Sequence, residues 1–352
     1  MTEAASGSAA LRFPHAAPPA AGTALEVAPG VRWLRMPLPF QLNHINLWLI
    51  ADGPGWAIVD TGINTEETKA LWGRLFAEAL DGKPVTRLIC THFHPDHMGL
   101  AGWLAERLGI ELWTTEGEWQ HAHQAIADRP GTFHDDLLDF YRRIGFANVE
   151  ETIKSGRPKS YRELVTPVPD RFHRLADGME ITLGGRRWRV IIGRGHAPEH
   201  ACLYCAELDL LIAGDQVLPK ISPNVSLWPQ EPEADPLALY LASLGKIRRE
   251  VPDTALVLPS HGLPFRGLYR RIDQLRDHHD ARLAELEAAC AEPRTAAEIV
   301  PILFRRALDA HQIGFAVGEA LSHLHYLMGL SRLVRSERSD GVYLYKSPPP
   351  PR

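Results

Sequence analysis

The sequence predicts a layered α/β body, and three features carry that prediction. Short apolar runs bounded by turn residues recur along the chain, as strands do. Stretches with apolar residues at three- and four-residue intervals lie between them, the spacing of amphipathic helices. Residue types that grip metal ions stand at the ends of several apolar runs, where an α/β scaffold presents its chemistry on loops.

Residues 1–24 are rich in Ala, Pro, Ser and Gly and lack a basic start followed by an apolar block, so they read as a disordered arm and not as a signal peptide. The strand-like runs 47–50, 57–60, 87–90, 188–192, 210–213 and 255–258, with helical spacing over 66–80 and 237–249, mark the main domain over 25–264. Residues 115–175 interrupt it with a polar and aromatic stretch of helical character. We read that stretch as an insertion over the site, with Phe133, His134, Phe140, Tyr141, Phe146 and Tyr161 as an apolar underside and Lys154, Arg157, Lys159 and Arg162 as a basic rim. The plainer alternative is a helical excursion with its own small core, and for the charges a solvated face outranks an anion-binding rim.

From 265 to 352 the style changes to helix, helix, helix and strand: 265–290, 296–310, 315–330 and 341–346. Thr295 before Ala-Ala-Glu298 is a capping-box signature. The third helix is mostly apolar with one acid, so it suits packing or a homodimer contact and not a DNA groove. His323 and His325 stand two apart on that helix, point in divergent directions and read as structural.

The 352 residues suffice for two domains and a sizeable core. Apolar content of 45%, charged content of 23% and a net charge of -5 are those of an ordinary globular protein, with no electrostatic footprint for nucleic acid and no apolar run long enough for a membrane span. Four cysteines make no disulfide framework. Cys202 and Cys205 on one strand would face opposite sheet surfaces, and reduced thiols fit a cytoplasmic compartment.

The densest signal is His92-Phe-His94-Pro-Asp96-His97, three imidazoles and a carboxylate in six residues after an apolar run. Three more ligand types follow strands of their own: His196 in Gly193-Arg-Gly-His196, Asp215 in Leu211-Ile-Ala-Gly-Asp215 and His261 in Val257-Leu-Pro-Ser-His261. Alternation in an extended segment puts His92 and His94 on one side, and Pro95-Asp96 turns the chain so that the next pair reaches elsewhere. Imidazole and carboxylate ligands suit Zn first, with Fe or Mn as alternatives. The bland readings are a plain turn for His261 and a strand-end turn for Asp215.

This pattern resembles the metallo-β-lactamase superfamily over roughly residues 30–265. The resemblance implies a four-layer αββα sandwich with two divalent metal ions at one edge of its sheets. It assigns His92, His94 and His196 to one ion, Asp96, His97 and His261 to the other, and Asp215 to the bridge. Trp56-Ala-Ile-Val-Asp60-Thr-Gly62 matches the family's early strand, where the Asp braces metal ligands. The His-Ala-Pro-Glu-His200 segment is similar to the glyoxalase II-like arrangement, in which His200 supports the site without binding metal; a turn residue is the alternative. The C-terminal segment resembles a winged-helix extension found on some relatives.

Two metals imply hydrolysis by a bridging hydroxide, with no Ser or Cys nucleophile. The resemblance implies that an acid at position 215 argues against penicillin as the substrate, and the glyoxalase II-like segment ending at His200 favours a thioester, ester or lactone, a small-molecule acyl substrate. A phosphodiesterase or nuclease, and a mononuclear iron oxygenase, are the alternatives. Asp96 is the candidate proton carrier to the leaving group. Tyr141, Tyr161 and Tyr204 are candidate hydrogen-bond donors to substrate, each with packing as its plainer role, and Lys220 is a candidate substrate contact on a proline-stabilised loop.

Overall fold

The computed structural model describes residues 10–127, 134–146, 160–305, 308 and 310–348. Two sheets face each other. The first runs β1 (Leu25–Ala28), β2 (Val31–Pro37), β3 (His44–Asp52), β4 (Gly55–Val59), β5 (Val85–Ile89), β6 (Leu112–Thr114) and β7 (Phe172–Arg174), in that spatial order. Strands β1 to β4 pair antiparallel and β4 to β7 parallel. Parallel neighbours need a crossover, supplied by α1 (Glu66–Glu78) between β4 and β5, and by α2 (Pro95–Met98) and α3 (Ala101–Leu108) between β5 and β6. The second sheet has the order β12 (Leu256–Pro259), β11 (Leu210–Gly214), β10 (His200–Cys205), β9 (Arg186–Gly193), β8 (Glu180–Leu183).

Period-two alternation sorts the side chains into three cores. Trp33, Trp48, Ile50 and Val59 of the first sheet meet Trp188, Val190, Leu203, Ile212 and Leu258 of the second. The outer face of the first sheet, with Leu47, Leu49 and Leu88, is covered by Trp72 and Leu75 of α1 and Leu104 of α3. The outer face of the second, with Ile191, Cys202, Leu211 and Val257, is covered by α7 (Pro236–Glu250), α8 (Leu268–Ala289), α9 (Ala296–Leu303) and α10 (Ala310–Gly329). The result is the four-layer αββα sandwich. Cys202 points to the outer core and Cys205 to the inner one, as alternation requires, and all four cysteines are free and buried.

Three expectations need correction. From residue 10 the expected N-terminal arm is docked: Arg12 forms an antiparallel bridge with Arg266, Phe13 packs 6.5 Å from the Phe265 ring, and His15 meets Trp33 edge-on. The 115–175 stretch is not helical throughout. It contains α4 (Glu116–Ala127), α5 (His134–Arg143) and α6 (Tyr161–Leu164), but its end forms β7 and extends the first sheet. Its aromatics do not form a separate core, because Phe140, Tyr141 and Phe146 pack on the core under the C-terminal helices. Phe133, Lys154, Arg157 and Lys159 lie outside the described residues.

In the C-terminal segment the second helix ends at Leu303, two residues after Pro301, whose missing N–H removes a helical bond. The third begins at Ala310, five residues before the position that the apolar spacing marks. A hairpin of β13 (Val334–Glu337) and β14 (Tyr343–Lys346) follows. His323 is buried against His279, 3.0 Å between Nε2 and Nδ1, and His325 donates from Nδ1 to Ala234 O, so both are structural. Among the described residues no helix is long and apolar enough to cross a membrane.

Candidate metal centre

The ligand-type residues stand on loops at one edge of the facing sheets. His92 and His94 follow β5, and Pro95 at the first position of α2 turns the chain so that Asp96 and His97 sit on that short helix. Gly99 ends α2 where a side chain cannot fit, since a Cβ there would lie 2.1 Å from Pro95 O and 2.6 Å from Gly62 O. His196 follows β9, Asp215 follows β11 and His261 follows β12. The three strands are neighbours or near neighbours in the second sheet, which is why residues so far apart in the chain meet.

All seven converge. His92, His94 and His196 form one set, His92, His97 and Asp215 a second, and Asp96, His97 and His261 a third, each with ligand atoms within 4.8 Å of one another. Asp215 spans them: Oδ2 lies 3.6 Å from His196 Nε2, while Oδ1 lies 3.4 Å from His261 Nε2 and 3.6 Å from His97 Nε2.

Four of the five imidazoles are aimed by what the other nitrogen does. His97 donates from Nδ1 to Asp60 Oδ2 at 2.8 Å, His196 from Nδ1 to Asn224 O at 2.7 Å, and His261 from Nδ1 to His44 O at 2.7 Å. Their Nε2 atoms are thereby turned to the centre. Thr91 gives its hydroxyl proton to Asp60 Oδ2 and receives from His92 Nδ1 at 3.0 Å, which frees His92 Nε2 in the same way. Asp60 also accepts from Thr91 N at 2.7 Å. It does so from a left-handed backbone, φ 63°, which Asp tolerates better than most residues.

Electrostatics prepare two different ion environments. Burial, reinforced by the neighbouring imidazoles, holds His92 and His94 well below 6.5, so both are neutral and ready to ligate. Burial also works against the charged forms of His97 and His261, but Asp96, Asp60 and Asp215 outweigh it at His97 and raise it well above 6.5, and Asp215 and Asp96 raise His261 to about 10. Burial is likewise outweighed at the carboxylates, Asp96 being lowered to about 2 and Asp215 well below 3.8 by His97 and His261.

The residues fit a pair of cations. His97 Nε2 and Asp215 Oδ1 are buried with no hydrogen-bond partner, a cost of about 1–3 kcal/mol per group that coordination removes. The donor set is imidazole and carboxylate throughout, with no thiolate.

The model of the Metallo-beta-lactamase superfamily matches residues 41–261, which contain all seven of these residues. The chain belongs to the metallo-beta-lactamase superfamily. A second model, the metallo-beta-lactamase-like C-terminal domain, matches residues 283–348. The crystal structure of a Beta-lactamase domain protein from Burkholderia ambifaria is 48% identical, with TM-score 0.89, covering 96% of this chain and 98% of that one. The probable metallo-hydrolase YqjP of Bacillus subtilis is 26% identical over 88% of this chain and 96% of its own. An acyl-coenzyme A thioesterase of Gallus gallus, MBLAC2, is 27% identical over 53% of this chain and 63% of its own length. These relations make the chain a metallo-hydrolase-family protein.

Within this superfamily member the supporting residues divide. His200 Nε2 accepts from Asp215 N at 3.1 Å, so it braces the backbone of Asp215. Gly214 makes room for it, with φ 53° and a hypothetical Cβ 2.3 Å from that nitrogen. Tyr161 is at the motif, but its hydroxyl donates to Phe93 O at 2.5 Å. Tyr141 packs on the outer core near α10. Tyr204 lies at the opposite end of β10 from His200. Lys220 is exposed on the loop after Asp215. Of that loop it is the Asn224 carbonyl that touches a ligand residue.

Several residues escaped the sequence. His44 accepts from Gly262 N through Nε2 at 2.9 Å and, with Arg35 donating to Gly262 O and Asn46 to Pro259 O, fixes the His261 turn. Glu118 of α4, fully buried, receives the backbone of Phe93 and of Glu199. Burial pushes its carboxyl up to about 8, whereas an N–H aimed at each oxygen favours the carboxylate, as nearby cations would. No sequence signal marks them, since each is an ordinary residue type on an ordinary strand or helix.

Proposed function

We propose that this chain is a two-metal hydrolase of a small-molecule acyl bond, in a thioester, ester or lactone, with Zn as the resident ion and Fe or Mn as substitutes. The observation that supports it most is Asp215, an oxygen of which faces each of the two imidazole sets. His92, His94 and His196 would hold one ion and Asp96, His97 and His261 the other, with Asp215 between them. Bound there, the ions supply a hydroxide nucleophile near neutral pH and polarise the oxygen of a bound carbonyl.

The protein's own residues do the rest. Asp60, Asn224 and His44 would fix the ligating nitrogens, and the burial of most of the set limits the access of bulk water. Asp96, whose side chain is 17% exposed and ionised, would take the proton released by the attacking water and pass it to a leaving group; a thiolate needs little such help and an alkoxide more. The likeness to an acyl-coenzyme A thioesterase agrees with an acyl substrate. In this reading the C-terminal helices and hairpin, winged-helix-like in order, serve packing or a homodimer contact, and the protein works in the cytoplasm without a nucleic acid partner.

The test is a parallel assay of the zinc-loaded protein on an acyl-coenzyme A, lactoylglutathione, a homoserine lactone and a phosphodiester. Turnover of at least one acyl substrate above the phosphodiester is expected. Turnover of the phosphodiester alone would overturn the proposal.

A further inference from the structure

The two halves of one ligand set come from different sheets, and one carboxylate that belongs to neither ties them together. Glu118 Oε2 accepts from Phe93 N at 2.9 Å, and its Oε1 accepts from Glu199 N at 2.6 Å. Phe93 sits between His92 and His94. Glu199 follows His196 by three residues and precedes His200. Glu118 is 0% exposed, so bulk solvent does not compete for either bond.

The tie is reciprocal. Glu199 Oε2 accepts from Gly117 N at 2.9 Å, capping the first turn of α4, and Thr115 donates its hydroxyl to Glu199 O at 2.9 Å. Each glutamate thus satisfies main-chain N–H groups on the other's segment, a capping box made across the fold instead of along one helix. The approach is close: a Cβ on Gly117 would lie 3.0–3.2 Å from the Glu199 side chain. In the other ligand set Asp60 orients His97 and His44 orients His261, and although Asp60 also reaches His92 through Thr91, Glu118 bonds to neither His97 nor His261.

We propose that Glu118, assisted by Glu199, is a positioning residue selective for the His92, His94 and His196 site, so that the two cations are held with separately controlled affinities. This rests on the two-metal reading above. Both Glu118 oxygens accept, so an amide in its place turns an NH2 group against one main-chain N–H and loosens one of the two segments.

The experiment is a cobalt(II) titration of metal-stripped wild type, Glu118→Gln and Glu199→Ala, followed by visible absorption and by bound metal after dialysis. In wild type two cobalt ions bind. In Glu118→Gln one binding step weakens 10–100-fold, the range for ligand-orienting partners, its absorption band changes, and the other step stays as in wild type. Glu199→Ala, which removes a half-buried carboxylate, weakens the same step by a smaller factor. Two unchanged steps in Glu118→Gln, or equal weakening of both, overturn the proposal. If Glu118→Gln fails to fold, Glu199→Ala decides, and an unchanged first step there overturns it. A wild type that binds no cobalt refutes the two-metal reading itself.

Discussion

Asp60 does three things with two oxygens: it accepts from Thr91 N, from Thr91 Oγ1 and from His97 Nδ1. Asn in its place keeps the left-handed backbone within reach but puts an NH2 where an acceptor is needed. Asp60→Asn is expected to weaken cation binding about 10–100-fold with little loss of secondary structure, measured by competition with a chromophoric chelator. Wild-type affinity would show that His97 is aimed by something else. A second expectation concerns pH. In the metal-stripped protein His261 is raised from 6.5 to about 10, so its pairing with Asp215 and Asp96 contributes stability that is complete below 6.5 and lost as pH rises through about 10. His92 and His94 act in the opposite direction, since their lowered values remove stability as pH falls below 6.5. Cations compete with the His261 proton, so the melting temperature gap between loaded and stripped protein should widen from pH 7 to pH 9. A constant gap would contradict the assignment. At this scale the convergence of the seven His and Asp residues was legible because the spacing of the motif and of its three later partners is specific. Glu118, His44 and Asn46 were not, because their contacts are made with segments far along the chain.

Elements were legible where a local rule is strong. Thr295 accepts from Glu298 N at 3.2 Å while Glu298 accepts from Thr295 N at 2.8 Å, the reciprocal bonds that Thr-Ala-Ala-Glu announces. Removing the hydroxyl in Thr295→Ala should cost about 1 kcal/mol, read as a lower urea midpoint with an unchanged slope; no change in midpoint would mean that the cap is redundant. Elements were illegible where one long-range pairing decides. Strand β7 is three residues long and exists because β6 offers an open edge. The segment from residue 10 is ordered by the Arg12 to Arg266 bridge and by two ring contacts, none of which leaves a periodic trace.

The whole molecule is one body as far as its outer core is concerned. Ile191, Leu211 and Val257 of the second sheet share a cluster with Leu275, Ile299, Leu321 and Leu324 of the C-terminal helices, so the change of style after residue 264 marks a border in sequence and not in packing. A chain ending at 265 would expose that sheet face, and apolar burial contributes about 25 cal/mol per Å². The truncated chain should aggregate or bind a hydrophobic dye strongly; a monomeric, cooperatively melting fragment would contradict a shared core. Two sheets bring seven His and Asp residues together at one edge, the arrangement from which a paired cation site is proposed. Metal content per chain, taken by mass spectrometry on zinc-loaded, extensively dialysed wild type and Asp215→Asn, tests it most directly. Two zinc ions in the wild type, with fewer in the variant, is the predicted result, and a wild type that retains only trace metal would contradict it.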